Sequence, residues 1–269
     1  MPVLTPQRML KIASNQTLRN QWYLVAAVVM TVCNKPHEIP TIYHYAMQMN
    51  HLQQKPSLEL YRKVQSIVQK FADIRDRGVN KDYSPYVNGG TDSGEFTTTE
   101  RLREGILKTS ALSGLPKAIN SLMILKDTTP YNLRSHTLGK ESNRQPIKTL
   151  EDYNRVQTRG RDFWDAVYGK VSHRIISQMS SSYPDLWKYA IEDVYSNLLS
   201  YCGILDHKET SLIVISCLIP QDVNPQLKGH LKGAYFNGVD VKVIRQVREL
   251  AIQLSQWCGV KWCTDVATI

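Results

Sequence analysis

The sequence predicts an all-α protein built from two diverged copies of one helical unit. Apolar residues recur at spacings of three and four along most of the 269 positions. Strand-like alternation is scarce. A stretch near the N-terminus also has a counterpart near the C-terminus, in the same order and without gaps.

Thr5 and Pro6 suit the cap and first turn of a helix in which Met9, Leu10 and Ala13 share a face. Arg8, Lys11, Arg19 and Lys35 precede the first acidic residue, Glu38, as in a mitochondrial presequence, but the capped pattern favours a folded helix. Trp22 to Cys33 is almost wholly apolar, about twelve residues against the roughly twenty needed to span a bilayer, so it reads as a buried helix. Asn34 to His37 breaks it, and a helical pattern resumes from Glu38 to Asn50. Pro56 and Ser57 open the next helix, with Leu60, Val64, Ile67, Val68 and Phe71 as its stripe. Arg77 to Thr97 holds Gly78, Pro85, Gly89, Gly90 and Gly94 and reads as a loop. Thr98 or Thr99 then caps a helix running to Leu112, and Pro116 opens another reaching Lys126. Residues 127–149 are polar, with no apolar period, and read as a linker. A long helix is expected from Leu150 to Met179, weakened by Gly160 and Gly169. Pro184 to Tyr201, His207 to Leu218, Pro225 to Phe236 and Asp240 to Cys258 complete the set, with Gly238 and Gly259 as terminators.

The repeat pairs Trp22–Thr31 with Thr210–Ile219 and Ile39–Ala46 with Leu227–Ala234. Leu24 falls on Leu212, Ala46 on Ala234 and Ile42 on His230. Leu102-Arg103-Glu104 begins twelve residues before Gly114, as Val247-Arg248-Glu249 does before Gly259. The N-terminal copy carries roughly 43 extra residues between its two parts. The expected division is 1–126, a linker over 127–149, and 150–269.

Gly229-His230, Ala234, Asn237-Gly238, then Arg245 to Glu249 and a closing Cys258-Gly259 resemble the signature of the carboxymuconolactone decarboxylase / alkylhydroperoxidase D-like superfamily. Tyr168-Gly169-Lys170-Val171, Tyr183 to Leu186 and Ile219 to His230 look like its fungal-type two-copy members. The resemblance is strong over 160–262 and weaker over 4–125. It implies a helical protomer that closes into a symmetric homo-oligomer, here a dimer or trimer of fused chains, with the apolar Trp22–Thr31 helix as material to bury; the alternative is that the fusion satisfies that interface internally and leaves a monomer.

The redox branch of that superfamily uses Cys-x-x-Cys, a His four residues after the second Cys, and a Glu twelve residues before the first. Those positions are Val223, Gln226, His230 and Ser211 here, so only the His is kept. Val and Gln cannot form or resolve a sulfenic acid, and Cys217 stands six residues too early, which disfavours a thiol peroxidase. The decarboxylase branch lacks those cysteines. The resemblance then implies acid/base chemistry on a small anionic or carbonyl compound, with His230 catalytic and Lys228, Lys232, Arg248 and Ser211 as substrate-binding candidates. Glu209 lies about 200° round a helix from Ser211 and cannot replace the missing carboxylate. The alternative is a pseudoenzyme that keeps the fold for assembly or binding. The competing reading of His230 is a ring that satisfies a polar contact between helices. Ile42 leaves the N-terminal copy without the histidine, and His44 is expected to face solvent or a neighbouring helix.

The bulk composition agrees with these limits. Hydrophobic residues make up 42% and charged residues 21%, as in ordinary globular chains. The five cysteines form no Cys-x-x-Cys and fit a reduced, intracellular setting, with cytoplasm, mitochondrion and peroxisome all open. The final Ala267-Thr268-Ile269 is not a Ser-Lys-Leu type of address. The net charge of +9 is spread along the chain without interleaved aromatics, so nucleic acid is not the expected partner. Trp257 and Trp262 read as core or interface. No metal-ligand spacing occurs, no cofactor is expected, and Gly89, Gly90 and Gly94 form no phosphate loop.

Overall fold

The computed structural model describes residues 2–78, 83–86, 94–134 and 141–269. The described residues are predominantly helical and contain no strand. The first six helices are α1 (Pro6–Ala13), α2 (Trp22–Val32), α3 (Ile39–His51), α4 (Leu58–Arg77), α5 (Gly94–Lys108) and α6 (Ser110–Ser113). They are followed by α7 (Leu115–Thr128), α8 (Leu150–Tyr168), α9 (Ser172–Ser182) and α10 (Pro184–Tyr189). The last three are α11 (His207–Leu218), α12 (Asn224–Phe236) and α13 (Val241–Trp257). A π-helical segment, Ala190–Leu199, continues α10. Short 3₁₀ turns at Pro36–Glu38 and Ile219–Gln221 lead into α3 and α12.

Helix α2 is the centre of the molecule. Every one of its residues is buried, because it packs against α3, α5, α11 and α13 at once. An apolar helix enclosed on all sides needs no polar face. The same holds for α11, buried without interruption from Thr210 to Leu218. This corrects the expectation that α2 supplies a surface between chains: one chain consumes it. No helix among the described residues is long and apolar enough to cross a membrane.

Local chemistry sets several boundaries as the sequence implies. Thr5 caps α1 by accepting from the Arg8 N–H, and Met9, Ile12 and Ala13 are buried. Ser57 accepts from the Leu60 N–H at the start of α4. Thr149 and Asp152 form a capping box on α8, and Asp206 and Glu209 form one on α11.

Other boundaries differ. Helix α5 starts at Gly94, so Thr98 and Thr99 lie inside it. The Thr99 hydroxyl donates back to the Glu95 carbonyl at 2.7 Å instead of capping. That helix stops at Lys108, where the Thr109 N–H and hydroxyl both turn to the Ile106 carbonyl. The expected long helix over 150–179 ends at Tyr168, where Gly169 takes φ +50° and the chain re-enters a helix at Ser172. Gly160, by contrast, stays inside α8, which packs tightly there. The expected loop glycines Gly89 and Gly90 lie outside the described residues, as does Gly139 of the expected linker.

Residues 128–130 and Leu133, read from sequence as part of a polar connection, are buried. Arg144 reaches inward with a bidentate pair to Glu104, at 2.6 and 3.1 Å, and donates to the carbonyls of Asn197 and Leu198. Beside it, Lys108 is fully buried. Its ammonium donates to the carbonyls of Leu198, Leu199 and Tyr201 at 2.8–3.1 Å, so it caps the C-terminal end of the π-helical segment. Burial lowers its pKa to about 8, against the opposing pull of Glu104 at 3.6 Å. This polar cluster ties α5 to the second half of the chain.

Candidate functional site

The site is assembled where α12 crosses α8. Helix α12 buries Leu227, His230, Leu231, Gly233 and Ala234. Gly233 permits the crossing: a Cβ there would stand 2.7 Å from Val167 Cγ1 and 2.9 Å from the Val167 carbonyl oxygen. The close approach sets the imidazole of His230 beside Tyr168, the last residue of α8.

Three polar atoms meet there. The Tyr168 hydroxyl lies 3.3 Å from His230 Nε2 and 3.0 Å from the Tyr195 hydroxyl. The Tyr195 hydroxyl is 3.5 Å from the same nitrogen. Tyr195 comes from the π-helical segment, a rare geometry that recurs at functional sites. Trp164 walls the cluster, its ring centroid 4.1 Å from Tyr168 and 4.7 Å from Tyr195. Its indole N–H donates to Ser172, whose hydroxyl donates to Asp165. Trp187 closes edge-on over Trp164 at 4.8 Å.

Burial decides the protonation states. It pushes the His230 pKa down to about 4, so the ring is neutral at pH 7. Burial likewise raises both phenols, Tyr195 well above its ordinary value, so both keep their protons. The cluster is therefore an uncharged set: one imidazole that can accept a proton or a hydrogen bond, and two phenols that can donate. Such a set can hold developing negative charge on an oxygen without a fixed cation.

The other sequence candidates do not converge on His230 through any described contact. Lys228 and Lys232 are exposed on α12. The guanidinium of Arg248 is engaged by the carbonyls of Val266 and Ala267, both at 2.6 Å, and so ties down the C-terminal segment. Ser211 donates to the His207 carbonyl and accepts from Asn237 at 3.1 Å, beyond the end of α12. Glu209 pairs with Arg101 across the two halves. Of the redox positions, Val223 is half-buried and Gln226 exposed. Cys217 is enclosed, its thiol pushed up to about 12 by burial, which makes it inert.

Sequence reasoning named Tyr168 only as a landmark and missed Tyr195 and Trp164. Their spacing in the chain gives no sign that they meet. Of the two expectations for His44, the neighbouring helix is what the structure shows: it is fully buried, with Nδ1 2.8 Å from the Tyr86 hydroxyl, Nε2 2.7 Å from Thr128 Oγ1 on α7, and its ring stacked on Phe71 of α4. Trp262 donates to the Ile219 carbonyl, and Trp257 lies under the Arg8 guanidinium. Among the described residues no group of three or more His, Cys, Asp or Glu is arranged to hold a metal ion.

No family model matches the chain, and no solved structure matches it. Two known proteins do. "Peroxisomal protein 2" of Saccharomyces cerevisiae is 38% identical over 289 aligned positions, covering 99% of this chain and 99% of that protein. "Peroxisomal protein 2" of Schizosaccharomyces pombe is 35% identical over 169, covering 63% of this chain and 75% of that protein. With near-complete coverage on both sides and identity of this order, the chain belongs to the Peroxisomal protein 2 family.

Proposed function

We propose that the chain is a carboxymuconolactone decarboxylase-like protein that performs acid/base chemistry on a small anionic or carbonyl compound at His230. The observation that carries this reading is the pair of phenol hydroxyls held within 3.5 Å of His230 Nε2. As carbon dioxide leaves a lactone acid, negative charge develops on an enolate oxygen. Two phenol donors stabilise that charge, and the imidazole moves the proton. Lys228 and Lys232 on the outer face of α12 supply positive potential for an anionic substrate, whereas the forks of Arg248 are already used.

The two-copy reading has support in the order of elements. Both α2–α3 and α11–α12 are an enclosed apolar helix, a 3₁₀ turn and a helix with Pro in its first turn, Pro40 and Pro225. The aligned stripes Ile39, Ile42, Tyr43, Ala46 and Leu227, His230, Leu231, Ala234 are buried in both. We also propose a peroxisomal association, which the name of the relatives supports, and microscopy of a tagged chain against a peroxisomal marker tests it.

Turnover of lactone acids by the purified chain tests the chemistry. His230→Ala should lower kcat at least a hundredfold, and Tyr168→Phe should lower it less, with the fold of both intact by circular dichroism. Equal rates in wild type and His230→Ala would overturn the assignment. The second reading, a binding or assembly module that keeps the fold, draws on the burial of His230, only 7% exposed. It is favoured if the wild type binds small carboxylates without turning them over.

We also propose a closed homo-oligomer, with the α7 face as the contact in place of α2. Leu115, Ile119 and Met123 recur every fourth residue there and are 58%, 48% and 51% exposed. Light scattering at micromolar concentration should give twice or three times the 30.8 kDa of one chain. A single-chain mass that persists through dilution and concentration would rule the assembly out.

A further inference from the structure

We propose that Cys33 and Cys258 form a hydroperoxide-sensitive dithiol that closes into a disulfide between the ends of α2 and α13. The inference stands apart from the chemistry at His230. Neither cysteine stands at the position of Val223 or Gln226, where the family resemblance would put redox thiols.

The geometry brings the two sulfurs together from opposite ends of the sequence. Cys33 caps the C-terminus of α2 and Cys258 caps the C-terminus of α13, two helices packed on each other. Cys258 Sγ is 3.7 Å from Met30 Sδ. Met30 lies one turn before Cys33 on α2, so this contact places Cys258 against the last turn of α2, where Cys33 stands. Both cysteines are half-buried, which leaves a small oxidant a path, while Cys217 is enclosed.

The surroundings divide the roles. Helix C-termini disfavour a thiolate. Two lysines oppose that at Cys33: Lys117 donates to the Val32 carbonyl at 2.8 Å, one residue away, and Lys35 follows two residues on. The hydrogen bond from Cys258, and then the charges of Lys117 and Lys35, lower the Cys33 pKa against its burial. Cys258 is raised, by that same hydrogen bond first and then by burial, with Glu38 adding and Lys35 opposing. The ammonium groups of Lys117 and Lys35 near Cys33 favour its thiolate, which makes Cys33 the attacking sulfur and Cys258 the resolving one.

The steps balance. The Cys33 thiolate attacks the terminal oxygen of a hydroperoxide, and the O–O bond breaks. The departing alkoxide takes the proton of the Cys258 thiol and leaves as alcohol, or as water when the oxidant is hydrogen peroxide. Cys33 is now a sulfenic acid. The Cys258 thiolate attacks its sulfur, the S–O bond breaks, and hydroxide leaves and takes a proton from solvent. Two electrons have passed from the sulfurs to the peroxide, and one S–S bond joins residues 33 and 258. Nothing in the pair regenerates the thiols, so the event is a single oxidation that staples the two halves, not turnover.

The test uses the full chain with the exposed Cys202 and Cys263 changed to Ser, so that Cys33, Cys217 and Cys258 remain. A slight molar excess of hydrogen peroxide should remove two of the three titratable thiols and lower the intact mass by two hydrogens. Digestion should yield a peptide linking Cys33 to Cys258, formed more than about tenfold faster than any modification of Cys217. Adding Cys258→Ser should leave a sulfenic acid at Cys33 that dimedone traps. Peptide mapping of the oxidised wild type, which needs no substitution, should show the same link. Three thiols left intact, or oxygen added without a cross-link, would overturn the proposal.

Discussion

Gly160→Ala should unfold the protein at markedly lower urea, a loss of about 3 kcal/mol. Gly160 sits inside α8 where the π-helical segment comes closest. A Cβ there would stand 2.0 Å from Ser196 Oγ, 2.6 Å from Ser196 Cβ and 2.5 Å from Ser196 Cα. The hydroxyl could swing aside, but the Cα is backbone and cannot. Alanine is the better helix former by about 1 kcal/mol, which is too little to offset a separation of two packed segments. The separation would also strain the bonds that Arg159 makes to the Ser196 carbonyl and the Ser200 hydroxyl. Its reach extends to the site, because Tyr195 is the next residue along and meets Tyr168 at 3.0 Å. A shift of this seam moves the phenols apart, so the emission of Trp164, packed on both rings, should change in the folded variant. Adding Ser196→Gly should restore only part of the loss, since the clash with the backbone of residue 196 remains. A Gly160→Ala protein with the wild-type urea midpoint would show that the seam has slack.

That seam marks the limit of what the sequence discloses. Helices α2 and α11 are legible because an unbroken apolar run of their length leaves no face for water. The starts of α1, α4, α8 and α11 are legible because Thr5, Ser57, Thr149 and Asp206 act within their own turn. Features that depend on distant residues are not. The π-helical register of Ala190–Leu199 coincides with the carbonyls that Lys108 and Arg144 hold from elsewhere in the chain. The same holds for the site. His230 stands out in a motif, but its partners Tyr168 and Tyr195 are 62 and 35 residues away and join it only because Gly233 lets α12 press on α8. Arg248 looks like an anion ligand in one dimension. In three dimensions its donors face the carbonyls of the C-terminal segment.

His44 and His230 together should cost the chain about 4 kcal/mol of stability between pH 8 and pH 5. Burial lowers His44 to about 3 and His230 to about 4, from an ordinary 6.5. The sign follows from where protons bind. Between 6.5 and the folded-state values, the unfolded chain takes up a proton on each ring and the folded chain does not. Stability is therefore complete above pH 6.5 and falls as the pH drops, levelling off only below the folded values. At pH 5 each ring contributes a loss of about 2 kcal/mol. His51, also lowered chiefly by burial, acts in the same direction. His44 is the harder of the two to charge. The Tyr86 and Thr128 hydroxyls hold both of its nitrogens, and Phe71 covers its face, so there is no room for water around an imidazolium. Urea unfolding at pH 8, 6 and 5 checks the expectation. His44→Asn should be weaker than wild type at pH 8, because it forfeits those contacts, yet should lose only about half as much on going to pH 5. His230→Asn should flatten the curve similarly, and the double variant should be nearly level over this range apart from the part due to His51. Parallel stability curves for wild type and both single variants would mean that the folded protein takes up these protons as readily as the unfolded chain, and that burial does not hold the His230 imidazole neutral below its ordinary range.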